Sequence, residues 1–114
     1  MDIKVKKEAG FTILNLNGRC EIKDYDELNS HLNEIVGSGE RRLILDFTSL
    51  NFINSAGLRA IILTIQKMKA AEGKIVFCNV NETIEKLFAI TGYSSILERY
   101  NSLSEAKASF GGDA

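Results

Sequence analysis

The sequence predicts an α/β fold: a mixed, largely parallel sheet of four to five strands flanked by about four helices. Three observations predict it. Residues 43–47 and 74–79 are short apolar runs without polar alternation, as expected of strands covered on both faces. Between and after them the apolar residues repeat with helical spacing. The chain also opens on an alternating stretch and a second strand-like run joined closely enough for a hairpin. Strands that alternate with helices in this way assemble into a sheet with helices on its faces.

Ile3, Val5 and Lys7 alternate with their neighbours and predict a first strand; residues 11–16 predict a second, with Glu8, Ala9 and Gly10 as the turn. Residues 18–23 are expected to be loop. A helix is predicted over 24–36, because Tyr25, Leu28, Leu32, Ile35 and Val36 fall on one face. Asp24 with Glu27 has capping-box spacing, and Gly37 suits the exit. His31 lies at the edge of that face and reads as a surface or boundary residue.

The run Leu43-Ile44-Leu45-Asp46-Phe47 is the expected central strand. A helix over 56–72 follows, its main face made by Leu58, Ile61, Ile62, Ile65 and Met68, with Gly73 ending it. After the strand at 74–79, residues 81–91 read as a third helix with Ile84, Leu87 and Phe88 inward and Gly92 as its stop. Residues 95–98 are expected to form a short edge strand. Ser102 and Glu105 form a capping box that opens a terminal helix with Leu103, Ala106 and Phe110 on one face. Residues 1–110 are expected to be a single domain and 111–114 a loose tail.

Composition narrows the function. The chain of 114 residues is 45% hydrophobic and 25% charged, with 14 Lys+Arg against 15 Asp+Glu. That balance argues against nucleic acid and against an anionic membrane surface, both of which call for a basic footprint. The longest strictly apolar runs, Ala60-Ile61-Ile62-Leu63 among them, fall far short of a span, and the first residues show no signal-peptide core. Cytoplasmic residence without membrane insertion is expected. Cys20 and Cys78 match no metal spacing and read as reduced thiols; no metal or cofactor motif is present.

Chemistry is expected where strand ends meet helix starts. The candidate segment runs from Phe47 to Leu58, where polar residues precede a strongly apolar helix. Asn54 and Ser55 both suit a helix N-cap. The plain reading is that Ser55 caps and Gly57 allows close packing. The functional reading is that an exposed serine at a helix tip takes a phosphate, which meets free N–H groups and the positive end of the dipole, with Arg59 one turn away.

Other chemistries fit poorly. Asn54-Ser55-Ala56-Gly57 lacks the glycine two before the serine that a nucleophile elbow needs, and nothing places His31, the single histidine, against Ser55. Glycine-rich phosphate loops are absent. Asp46 ends a central strand as a receiver phosphoacceptor does. Yet the early strands are not followed by the acidic pair such a domain needs for Mg²⁺, and residues 95–101 hold no lysine.

Over nearly its whole length the chain resembles a STAS domain, the family of anti-sigma factor antagonists and of sulfate-transporter appendages. The residues that carry this are Leu43-Ile44-Leu45-Asp46-Phe47 followed by Phe52-Ile53-Asn54-Ser55-Ala56-Gly57-Leu58. Leu87-Phe88-Ala89-Ile90-Thr91-Gly92-Tyr93, the Ser102 to Ala106 stretch and the spacing of Gly18 before the first helix support it. The resemblance implies a binding switch without catalysis, built on Ser55. The unphosphorylated protein would bind an anti-sigma factor that is also a serine kinase. Phosphorylation of Ser55 would release it, and a PPM-type phosphatase would reset it. Ser55 is then the phosphoacceptor, and Glu21, Asn54, Ala56, Gly57 and Arg59 the partner interface. Two departures stand out: Asn54 occupies a position where several members carry Asp, and 19–22 is less acidic than is common after the matched glycine. An alternative is an accessory STAS subunit of an ABC-type lipid-transport complex, docked on its ATPase. A small enzyme or ligand-binding module using the Ser55 turn is a third reading.

Overall fold

The computed structural model describes residues 1–111. In chain order the elements are β1 (Asp2–Glu8), β2 (Phe11–Cys20), a 3-10 turn (Ile22–Asp24), α1 (Tyr25–Gly37), β3 (Arg42–Asp46) and β4 (Leu50–Ile53). There follow α2 (Ser55–Ala70), β5 (Lys74–Cys78), α3 (Glu82–Thr91), a second 3-10 turn (Ser94–Ile96), β6 (Arg99–Tyr100) and α4 (Leu103–Ala108). All four expected helices are present. Residues 112–114 of the expected tail lie outside the described residues.

The sheet runs β1-β2-β3-β5-β6, with β1 antiparallel to β2 and the other neighbours parallel. β4 lies off this path and pairs in parallel with the far end of β2, Gly18 opposite Leu50 and Cys20 opposite Ile53. The sheet therefore has six strands rather than four or five. The reason is that β2 does not stop at Leu16. It continues through 18–20, expected as loop, across a register shift between Gly18 and Arg19. Gly18 takes φ +94, a conformation that favours glycine, and its N–H donates to the Ser49 carbonyl at 2.8 Å.

The two faces of the sheet are covered unequally. Leu14, Leu16, Leu43, Leu45 and Phe77 point into the main core, with Leu32 of α1, Ile61 of α2 and Phe88 of α3. The Phe77 ring meets Phe47 and Phe88 edge-on, with centroids 5.3 and 5.4 Å away. On the other face Ile13, Ile44 and Val76 pack under Ala106 of α4 and Phe110 just past its end. Leu43, Ile44 and Leu45 are all buried because β3 is covered from both sides, as the unbroken apolar run implies.

Several ends differ from expectation. Asp24 and Glu27 make no capping box. The Asp24 carboxylate turns back to accept from the Glu21 N–H at 2.8 Å and from the chain's first amine at 3.3 Å. Gly37 is the last residue of α1, and Gly39 takes the left-handed turn, φ +90. α2 stops at Ala70, and Glu72 rather than Gly73 adopts positive φ. Gly73 is needed for closeness: a Cβ there would stand 2.9 Å from the Arg41 carbonyl oxygen. Residues 94–96 form the second 3-10 turn, so the edge strand comes later than 95–98, at Arg99–Tyr100.

Candidate functional site

The site grows from the junction of β4 and α2. The Asn54 N–H donates to the Cys20 carbonyl at 3.0 Å, which extends the β2–β4 pairing to the edge of the helix. Asn54 is extended (φ −78, ψ 170), and its side-chain Oδ1 accepts from the Gly57 N–H at 2.7 Å. Asn54 is thus the N-cap, and Ser55 does not cap. Ser55 is the first helical residue and is exposed. Among the described residues its hydroxyl has no hydrogen-bond partner, and the N–H groups of Ser55 and Ala56 have none either, as expected for a helix start. The first turn of α2 carries no acidic residue.

Gly57 locks this turn against the sheet. A Cβ at Gly57 would stand 2.8 Å from Cys20 Sγ, 3.1 Å from Ile53 Cγ1 and 3.3 Å from Asn54 Oδ1. Gly57 is buried, and having no side chain it lets α2 start close to Cys20. Burial, with the Asp24 charge behind it, pushes the Cys20 thiol up to about 11, so it stays protonated. Burial and Asp46 push Cys78 up to about 12. Both thiols are packing groups.

Of the expected interface residues, Ser55, Ala56 and Arg59 are exposed. Together with Leu58, Leu63 and Tyr93 they line one groove of about 420 Å³. Glu21 lies on the other flank, in a depression shared with Asn54, Ile22 and Phe52. Its carboxylate is 3.6 Å from Arg19 Nε, both side chains about half exposed, and such a pair contributes little. Ile22 is 84% exposed and Arg19 stacks on Phe52 with its guanidinium 4.5 Å from the ring centroid. Ile22 is not among the interface residues the sequence predicts; an isoleucine in a stretch expected to be loop is the signal that points to it.

The rival centres are taken apart by the same geometry. His31 lines a separate cavity with Val5, Thr12 and Glu34, not the groove of Ser55. Asp46 holds its own turn: its Oδ1 accepts from the Thr48 N–H at 3.0 Å and from the Cys78 thiol at 3.5 Å. Among the described residues no group of three or more His, Cys, Asp or Glu is placed to hold a metal ion. Nor is any helix long and apolar enough to cross a membrane.

The comparison with known families decides the kinship, since the STAS domain matches residues 2–106. The chain belongs to the STAS domain family. BtrV of Bordetella bronchiseptica, which carries the name of an anti-sigma factor antagonist, is 33% identical over 110 residues, 96% of this chain and 95% of BtrV. The anti-sigma-B factor antagonist of Staphylococcus aureus is 20% identical, covering 85% of this STAS chain and 90% of the relative. Among solved structures, the anti-sigma factor antagonist SpoIIAA in its unphosphorylated form superposes with a TM-score of 0.85 at 16% identity, over 97% of each chain. Its phosphorylated form gives 0.77. At that identity the likeness shows the fold, and it is the STAS α/β fold with its mixed sheet and four helices.

Proposed function

We propose that this STAS domain is an anti-sigma factor antagonist that works as a cytoplasmic binding switch on Ser55. Unphosphorylated, it holds an anti-sigma factor that is also a serine kinase and so frees a sigma factor. Phosphorylation of Ser55 breaks the complex, and a PPM-type phosphatase restores it. The chain's own part is to bind, not to catalyse. Residues 1–110 act as one unit, with Ala56, Gly57 and Arg59 on one side of Ser55 and Glu21 and Asn54 on the other as the interface.

The observation that carries this is the division of labour between Asn54 and Ser55. Asn54 caps the helix, so the Ser55 hydroxyl is exposed and free of structural duty. A phosphate of ~−1.5 to −2 charges there meets free amides and the positive helix end. The fold tolerates it, while a partner docked over Ser55 meets a new, strongly hydrated charge. The names of the relatives point the same way.

A pull-down from native lysate with wild type, Ser55→Ala and Ser55→Asp as baits tests this. Recovery of an ATP-binding serine kinase by wild type and Ser55→Ala but not by Ser55→Asp is the expected result. Equal recovery of an ABC-type ATPase by all three baits overturns the switch and returns Ser55 to a plain helix start.

A further inference from the structure

Two cavities, of about 420 and 390 Å³, follow one another along one side of α2. Leu58, Ile62 and Ile65 of α2 line one wall, and Tyr93 and Ile96 after α3 line the other. The rims are unusually apolar for surface. Leu63 is 43% exposed, Tyr93 42% and Ile96 38%. Exposed apolar groups gathered in one trough, with polar neighbours around them, mark an interaction site.

The charge of the trough is one-signed. The sixteen residues of α2 include Arg59, Lys67 and Lys69 and no Asp or Glu, in a chain whose acids outnumber its bases. Arg59 lines the first cavity and Lys69 the second. Among the described residues none of the three cations is in an ion pair. Glu98 is the one acid lining either cavity, and Lys74 neutralises it at 3.1 Å.

We propose that this trough receives an amphipathic helix of a protein partner, its apolar stripe against Leu63, Tyr93 and Ile96 and its flanking Asp or Glu residues against Arg59 and Lys69. α2 extends for about 24 Å, room for roughly four turns of a partner helix. Helix-in-groove recognition uses apolar anchors at i, i+3, i+4 and i+7, and flanking charge sets specificity. Ser55 stands at the mouth of the same trough. This names the partner element for the proposed switch and rests on that reading only for the link to Ser55: a phosphate there faces the partner's acids and turns attraction into repulsion.

The test uses two synthetic helical peptides of about 18 residues, long enough for the trough. They share a Leu/Ile stripe and differ in flanks, one Glu-rich and one Lys-rich. Each is titrated into the ¹⁵N-labelled full chain, with amide shifts as the readout. The Glu-flanked peptide is expected to give saturable shifts at Leu63, Gln66, Tyr93 and Ile96, and the Lys-flanked peptide to bind at least about tenfold more weakly. Arg59→Glu should weaken the Glu-flanked peptide by about tenfold and Leu63→Asp should abolish it, with circular dichroism showing both variants folded. Equal binding of both peptides, shifts elsewhere, no binding, or the same shifts on concentrating the protein alone (a second copy in the trough) each overturn the proposal. A failed pull-down with peptide binding intact would sink the Ser55 switch and leave the trough standing; the converse would sink only the trough.

Discussion

Cys20 Sγ occupies the space that a side chain at Gly57 would need, 2.8 Å from the position of its Cβ. The thiol comes from the end of β2 and the glycine from the first turn of α2, so this contact sets how closely the helix bearing Ser55 approaches the sheet. Ala is the better helix former by about 1 kcal/mol, but overpacking costs about 1–3 kcal/mol. Gly57→Ala is therefore expected to lower the thermal midpoint. In a Cys20→Ala background the same change should cost less, a favourable coupling measurable by a double-mutant cycle of urea unfolding. Additive effects would show that the contact does not limit the helix position.

Asn54 and Ser55 should part company in stability. Asn54→Ala removes the acceptor of the Gly57 N–H and is expected to cost about 1 kcal/mol. Asn54→Asp keeps the acceptor and adds charge at the positive helix end, so it should be neutral or better. Ser55→Ala should stay within about 0.5 kcal/mol of wild type, since the hydroxyl holds nothing. Urea midpoints of the three variants check the ranking; a costly Ser55→Ala would restore Ser55 to capping.

A carboxylate mimic tests the tolerance on which the switch depends. Ser55→Asp is expected to fold with a thermal midpoint at or slightly above wild type, a gain of about 0.3–1 kcal/mol at low salt that fades as salt screens the helix end. Differential scanning calorimetry at two ionic strengths reads it. An unfolded Ser55→Asp protein would contradict the tolerance.

Acid sensitivity should trace to Glu40, whose carboxylate ties the start of β3 to β2. Its Oε2 accepts from the Thr12 hydroxyl at 2.6 Å and its Oε1 from the Arg41 N–H at 2.9 Å. Burial alone pushes Glu40 up, but the Thr12 hydroxyl, the Arg42 and Arg41 amides and the Lys7 charge together hold it below the usual carboxylate value. A lowered folded-state value stabilises the fold above the ordinary glutamate value of 4.5, and the contribution is lost as pH falls through the lower folded value. The backbone N–H of Glu21 does the same for Asp24, with the first amine helping. Urea midpoints across the acid range should fall less steeply with pH for Glu40→Gln than for wild type. Parallel curves would exonerate Glu40.

Arg99 staples the second wall of the trough. Its guanidinium donates to the Ser94 carbonyl at 2.9 Å and the Leu97 carbonyl at 2.6 Å, and its Nε lies 2.9 Å from a Glu85 oxygen. Arg99→Met keeps the stem and removes the donors, which should leave the fold intact but free the 3-10 turn at Ser94–Ile96. Hydrogen exchange at Ile96 and Leu97, whose amides bond within that turn, should quicken by about tenfold while β3 amides stay protected.

What could be read in advance followed the strength of the local signal. α2 and β3 were legible because their patterns are long or unbroken, and the Ser102–Glu105 cap because its spacing is specific; the Glu105 N–H donates to Ser102 Oγ at 3.1 Å. β4 was not. Its four residues include the exposed polar Asn51, and it is a strand only because the far end of β2, distant in sequence, offers a partner. The α1 start was misread because the Asp24 carboxylate had two suitors, the helix amides after it and the Glu21 N–H before it; the buried bend at the end of β2 decided for the second. Within the candidate site the hydroxyl and its neighbours were legible from the motif. That Asn54 caps and Ser55 does not required the geometry.

The pairing of β4 with β2 has a bearing on folding order. Cys20 and Asn54 are joined across a long stretch of chain, and contacts of that separation form late, after local helices and hairpins. α2 can coil early on its own pattern, but its first turn is anchored only when β4 has found β2 past the shift at Gly18. Ser55 takes its place as first helical residue, beside a capping Asn54, only at that stage. The geometry around Ser55 is therefore a readout of that long-range pairing and not of the helix alone.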